Sequence, residues 1–98
     1  MEEQEGNKDN TIFIGPKPFM NYVTGVVLQF NTLKQEEVFV KARGKFISKA
    51  VDVSEVARKR FLEESIEANA INISSEEFTN KEGKLVRVST IEISLKKK

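Results

Sequence analysis

The chain of 98 residues contains no cysteine and no histidine, and it has only two prolines. Without cysteine there is no disulfide framework, thiol nucleophile or Cys-ligated zinc, and without histidine there is no Ser-His-Asp triad and no imidazole metal ligand. No apolar run approaches the ~18–20 residues that cross a bilayer, and residues 1–10 lack the hydrophobic stretch of a signal peptide. These absences predict one soluble intracellular domain that is not an enzyme and needs no metal or other cofactor.

Charge is distributed unevenly along the chain, although 16 basic and 15 acidic residues nearly cancel. Residues 1–10 carry four acids and one lysine with few apolar anchors, which predicts a disordered acidic tail before a folded domain at residues 11–98. Residues 41–60 hold seven basic and two acidic side chains. The near-neutral total therefore says little about the local field that a partner would meet.

Apolar periodicity predicts six elements. Strands are expected at residues 11–14, 38–43, 66–78 and 85–95, and helices at residues 18–31 and 47–61. The order strand, helix, strand, helix, strand, strand favours right-handed crossovers with both helices on one face of the sheet. The predicted fold class is therefore a two-layer α/β sandwich of the α+β type, with the order βαβαββ.

Two details of the last strands stay open at this stage. The third strand is predicted to carry Ala68 and Ala70 on one face and Ile71 and Ile73 on the other. In the fourth strand the apolar residues change from even to odd numbers, so either a bulge lies near residues 89–90 or both faces are covered at different points. The second alternative would suit a subunit interface.

The residues offer little for catalysis and more for binding anions. The pair Gly44-Lys45 lacks the hydroxyl residue and first glycine of a phosphate-binding P-loop, and adjacent glutamates point apart. Three groups of basic and polar side chains favour contact with a sugar-phosphate backbone. They are Lys41, Arg43, Lys45 and Lys49 around the second strand and helix; Lys17, Asn21 and Tyr22 around the first helix; and Lys81, Lys84 and Arg87 on the final hairpin.

Four stretches of the chain resemble the Alba (Sac10b) family of archaeal chromatin proteins. They are residues 14–23 (Ile-Gly-Pro-Lys-Pro-Phe-Met-Asn-Tyr-Val), 40–45 (Val-Lys-Ala-Arg-Gly-Lys), 47–52 (Ile-Ser-Lys-Ala-Val-Asp) and 87–93 (Arg-Val-Ser-Thr-Ile-Glu-Ile). The resemblance extends over about residues 11–97, in the family's order and spacing. It implies a fold like the C-terminal domain of translation initiation factor three. It also implies a homodimer that binds and condenses double-stranded DNA with little sequence preference, binds RNA, and resides on the chromosome in the cytoplasm.

The resemblance also implies roles for single residues. Lys17 lies in a loop that meets phosphates, with Asn21 and Tyr22 near it, while Arg43, Lys45 and Lys49 match a central basic patch shared across the dimer. The hairpin at residues 81–87 matches an arm that reaches towards a minor groove. Phe61 matches an aromatic of dimer–dimer contacts, although a core position on its helix is the equal alternative.

One departure from the family pattern concerns acetylation. Many members carry two lysines after the glycine, and acetylating them weakens DNA binding by removing charge. Here Pro16 stands at the first position, so Lys17 is the remaining candidate.

The sequence also allows alternatives to the chromatin function. They are a mainly RNA-binding role and a dimeric protein-interaction scaffold, with a metal-dependent nuclease the weakest interpretation.

Overall fold

The structure, a computed structural model, describes residues 10–98. In it β1 spans Thr11–Phe13, α1 spans Phe19–Asn31 and β2 spans Glu37–Arg43. A 3-10 turn at Gly44–Phe46 leads into α2 (Ile47–Val56), which continues as a π-helical turn at Ala57–Phe61. The chain ends in β3 (Ile66–Thr79) and β4 (Leu85–Lys97). The predicted order of elements is confirmed, and the predicted acidic tail lies, apart from Asn10, outside the described residues.

The strands form one sheet in the order β1-β2-β4-β3. β1 and β2 are parallel, whereas β4 runs antiparallel to both of its neighbours, β2 and β3. β2 and β3 therefore run in the same direction with β4 inserted between them. Among the described residues this leaves β1 and the long β3 at the two edges of the sheet.

Both helices pack on one face of the sheet because the strands alternate apolar and polar side chains. In β2, Val38, Val40 and Ala42 are buried, while the residues between them are half-buried. They join one core with buried residues of α1 and α2, as the helical spacing predicts. The helix residues in this core are Tyr22, Val23, Val26, Phe30, Ala50, Val53 and Ala57. The opposite face of the sheet, called the outer face below, carries the half-buried and exposed side chains of β2, among them Lys41 and Arg43.

A bulge in β3 corrects the predicted faces of that strand. Ala68 pairs with Leu95 and Ala70 with Ser94, so the register shifts between them. Because Leu95 and Ser94 are consecutive, the two alanines lie on opposite faces, and Ile71 and Ile73 share the face of Ala68. The extra residue of a bulge reverses the alternation, which a period of two read from the sequence cannot anticipate.

The change of the apolar residues in β4 from even to odd numbers does not come from a bulge at residues 89–90. β4 pairs with β3 residue by residue from Leu85 to Ser94. Its odd-numbered Ile93 and Leu95 are buried in the core, whereas Val86 and Val88 are half-buried on the outer face. Both faces are thus covered at different points, which is the second of the two predicted alternatives.

The C-terminal part of α2 also differs from the predicted continuous helix. The Leu62 amide donates to the Ala57 carbonyl five residues back, at 3.0 Å, which is the bond of a π-helical turn. The wider turn rotates Leu62 into the core and leaves Phe61 49% exposed. Phe61 is therefore not the core residue of the alternative interpretation.

Candidate nucleic-acid interface

A row of one aromatic and three polar side chains crosses all four strands on the outer face. Phe13 is in register with Lys41, Lys41 with Glu92, and Glu92 with Asn72. Lys41 Nζ lies 5.8 Å from the centroid of the Phe13 ring and 3.2 Å from Glu92 Oε2. Asn72 Nδ2 donates to Glu92 Oε1 at 3.3 Å. The Lys41 side chain therefore lies between an aromatic ring and a carboxylate and stays 40% exposed.

Arg43 lies two residues beyond Lys41 and on the same face of β2. Its Nη2 is 2.9 Å from Glu76 Oε1 on β3, across the intervening strand β4. Both side chains are more than half exposed, at 57% and 58%. An ion pair in this setting is screened by water and salt, so the guanidinium can exchange its partner.

Lys45 follows at the sharp turn after β2. Gly44 makes this turn in the left-handed region, with φ +53, which favours glycine. Lys45 Nζ lies 5.5 Å from the centroid of the adjacent Phe46 ring. Its side chain is exposed and, among residues 10–98, has no carboxylate partner. Lys45 is thus the least engaged cation at this end of β2.

The three cations converge on one open groove of about 820 Å³. Lys41, Arg43 and Lys45 line it together with the apolar residues Phe13, Phe78 and Val88. A second, shallower groove next to it is lined by Lys17, Asn21 and Tyr22. Phe13, which is 71% exposed, borders both grooves and so connects the two groups of predicted residues.

Two side chains, of Tyr22 and Lys49, form hydrogen bonds to the backbone of the loop at residues 15–17, between β1 and α1. The Tyr22 hydroxyl accepts hydrogen bonds from the amides of Gly15 (3.0 Å) and Lys17 (3.1 Å). Lys49 Nζ donates to the carbonyls of the same two residues, at 2.8 and 2.6 Å. Lys17 itself is exposed, as is Asn21 on α1, whereas Tyr22 is buried.

The hairpin of β3 and β4 carries the third group of cations away from the grooves. Asn80 Oδ1 accepts from the amides of Glu82 (2.9 Å) and Lys84 (3.0 Å), which closes the turn. Lys81 and Lys84 are exposed at this tip. Arg87 lies lower on β4 and pairs with Glu77 across the hairpin, with Nη2 at 2.6 Å from Oε2.

Comparison with known proteins identifies the family of this chain. Residues 10–75 match the family model described as Alba. The chain belongs to the Alba family. It is 51% identical over 90 residues to a DNA/RNA-binding protein Alba of Methanocella arvoryzae, covering 92% of each chain. It is 48% identical over 87 residues to the protein of that name from Methanococcus maripaludis, covering 89% of this chain and 97% of the relative.

A solved structure supports the same assignment at the level of the fold. Alba from Thermoplasma volcanium superposes with a TM-score of 0.81 at 44% sequence identity, over 89% of this chain and 99% of that one. The resemblance inferred from the four sequence stretches is thereby confirmed, and so is the mixed α and β architecture.

The Alba fold brings the predicted residues together in groups rather than in one patch. Lys41, Arg43 and Lys45 share a groove, Lys17 and Asn21 flank the next one, and the hairpin cations stand apart. Lys49 belongs by its contacts to the 15–17 loop and not to the groove of Arg43 and Lys45.

The acidic partners of these cations were not predicted from the sequence. Glu76, Glu77 and Glu92 each pair with a predicted binding cation. Phe13 was not predicted either, because an aromatic in a short strand is typical of a core. The alternation of Ile12, Phe13 and Ile14 does contain a signal, since neighbours along a strand face opposite sides.

Proposed function

We propose that this member of the Alba family binds double-stranded DNA through its phosphate backbone, with little sequence preference, condenses it as a chromatin protein, and also binds RNA. The observation that carries the proposal is the convergence of Lys41, Arg43 and Lys45 on one open groove beside the Lys17 loop. The relatives from Methanocella arvoryzae and Methanococcus maripaludis are named as DNA/RNA-binding proteins, which supports both kinds of nucleic acid.

The mechanism is neutralisation of phosphates by side-chain cations. Each lysine or arginine that replaces a condensed counterion releases it, so affinity falls as salt rises. Apart from Lys45 in the 3-10 turn and Lys49 on α2, the proposed cations lie on strands and loops rather than on a helix. Phosphate contacts made in this way position a protein on the duplex without reading base edges, which favours sequence tolerance.

A binding role without catalysis is part of the proposal. The carboxylates next to the groove are engaged, Glu92 by Lys41 and Asn72, and Glu76 by Arg43. Within residues 10–98, no three acidic side chains come together in a way that could hold a metal ion. No helix in the same part of the chain is long and apolar enough to cross a membrane. A place on the chromosome in the cytoplasm is consistent with this role.

A homodimer is the assembly that the edge strand β3 supports. Ile71 and Ile73 lie together on its helix-side face, 59% and 79% exposed, beyond the cover of the two helices. Exposed apolar side chains in a row on an edge strand favour association with another copy. Phe61, half exposed at the end of α2, is a candidate for contacts between dimers on nucleic acid. Lys17, exposed in its loop, is the candidate for regulation by acetylation.

A salt-series titration on random-sequence duplex DNA tests the central groove. Arg43→Gln and Lys45→Gln are each expected to flatten the slope of log affinity against log salt by roughly 0.9 for every phosphate that is no longer neutralised. Lys34→Gln is the matched control, because Lys34 is exposed and precedes β2, at the end opposite to Arg43. Equal slopes for the wild type and both groove variants would refute the proposal. Tighter binding of structured RNA at equal salt would instead make RNA the main target.

A further inference from the structure

The backbone of the 15–17 loop is satisfied almost entirely by two side chains. Pro16 has no amide proton, and the two amides that remain, of Gly15 and Lys17, both donate to the Tyr22 hydroxyl. The carbonyls of Gly15 and Lys17 both accept from Lys49 Nζ. One phenol oxygen thus accepts from both amides, and one ammonium donates to both carbonyls. We call Tyr22 and Lys49 the loop clamp.

The two members of the loop clamp also contact each other. Lys49 Nζ lies 5.0 Å from the centroid of the Tyr22 ring and 5.9 Å from that of Phe46, within the range of cation–π attraction. The Tyr22 side chain is held in the core, since the residue is only 8% exposed. The clamp is therefore anchored at one end in α1 and at the other in α2, while the loop lies across it.

These contacts leave neither side chain suited to nucleic acid. An ammonium has three donors, and two of those of Lys49 are directed at the loop at short, charge-assisted distances. The buried Tyr22 ring offers no face on which a base could stack, because stacking requires an exposed aromatic surface. Lys17, in contrast, projects from the loop into solvent.

We propose that Lys49 and Tyr22 are positioning residues that hold the 15–17 loop so that Lys17 meets the phosphate backbone, and that they do not themselves contact nucleic acid. This inference rests on the proposed function, because it concerns how Lys17 is presented to the same ligand. Without the clamp the loop gains conformational freedom, which must be given up again on binding and so weakens the contribution of Lys17.

The first test uses Tyr22 as its own reporter. It is the only tyrosine and the chain has no tryptophan, so the intrinsic fluorescence comes from the clamp alone. In the full chain, Lys49→Met is expected to increase quenching by acrylamide, and Lys49→Arg to restore protection, since a guanidinium can donate to both carbonyls. Lys45→Met is the matched control, because it removes the same charge from a residue outside the clamp. Unchanged quenching in Lys49→Met would overturn the clamp.

The second test separates positioning from direct phosphate contact. A thermodynamic cycle on duplex DNA compares Lys49→Met in the wild type and in Lys17→Gln. Positioning predicts a large decrease of affinity in the wild type and little further decrease in Lys17→Gln. A direct contact predicts additive decreases, with the salt slope reduced by roughly 0.9 each time, and this result would overturn the inference.

Tyr22→Phe provides a variant that changes no charge. It removes the acceptor of the Gly15 and Lys17 amides, and we expect weaker DNA binding in a protein whose thermal unfolding remains cooperative. Binding equal to the wild type would overturn the role of Tyr22. Failure of the proposed function has a different signature, in which Lys17→Gln binds like the wild type while Lys49→Met still increases the quenching. In that case the clamp would still hold the loop, but it would have no role in binding DNA.

Discussion

The ion pair between Arg43 and Glu76 predicts that a glutamate limits nucleic-acid affinity. The two side chains are 2.9 Å apart and more than half exposed. A phosphate that binds Arg43 must displace or share this carboxylate, because both compete for the same guanidinium donors. Glu76→Gln removes the competitor and keeps the size of the side chain. We therefore expect the variant to bind duplex DNA more tightly than the wild type.

The magnitude follows from the exposure of the pair. Solvent-exposed ion pairs contribute about 0.2–1 kcal/mol. Since about 1.4 kcal/mol corresponds to a tenfold change in affinity, releasing Arg43 tightens binding by about 1.4- to 5-fold. Removal of one negative charge also acts at long range, so this gain is measured relative to a control with the same change of charge. Glu67→Gln is that control, because Glu67 is exposed on the same strand, nine residues away.

The assay is a fluorescence-anisotropy titration of a labelled duplex at fixed ionic strength. Glu76→Gln and Glu67→Gln are each measured in the wild type and in an Arg43→Gln background. The advantage of Glu76→Gln over Glu67→Gln should vanish when Arg43 is absent, because no guanidinium is then released. Equal affinities for the two glutamine variants, or an advantage that survives without Arg43, would refute the reasoning.

Two further predictions concern assembly and stability. Ile73→Asp places a charge on the exposed apolar row of β3 and should shift the proposed dimer to folded monomers in analytical ultracentrifugation; a variant that stays dimeric would exclude this face. Hydrogen bonds from Arg58, and next from Lys59, lower the pKa of Glu55. Its ionised form therefore stabilises the folded state above the ordinary glutamate pKa of about 4.3, and this contribution is lost as pH falls through the lowered value. Glu55→Gln should thus be less stable than the wild type in urea at pH 7, with a difference that shrinks in acid; a difference independent of pH would contradict the ion pair.

The order of the elements and the family were readable from the sequence because both rest on local patterns. The spacing of Val23, Val26 and Phe30 marks one face of a helix, and the alternation of Val38 and Val40 marks one face of a strand. Each pattern is complete within a few residues. The four sequence stretches that indicate the Alba family are local in the same sense, as is the concentration of positive charge after β2.

The tertiary structure alone decided which of those charges are available. Arg43 meets Glu76 because β4 sets the register of β3, and a single bulge between Ala68 and Ala70 determines that register. Lys49 reaches a loop more than thirty residues earlier because α1 and α2 pack on the same face of the sheet. Contacts of this kind depend on register and packing between segments far apart in the chain. A sequence pattern specifies the residues that such contacts use, and the fold specifies the partner that each of them meets.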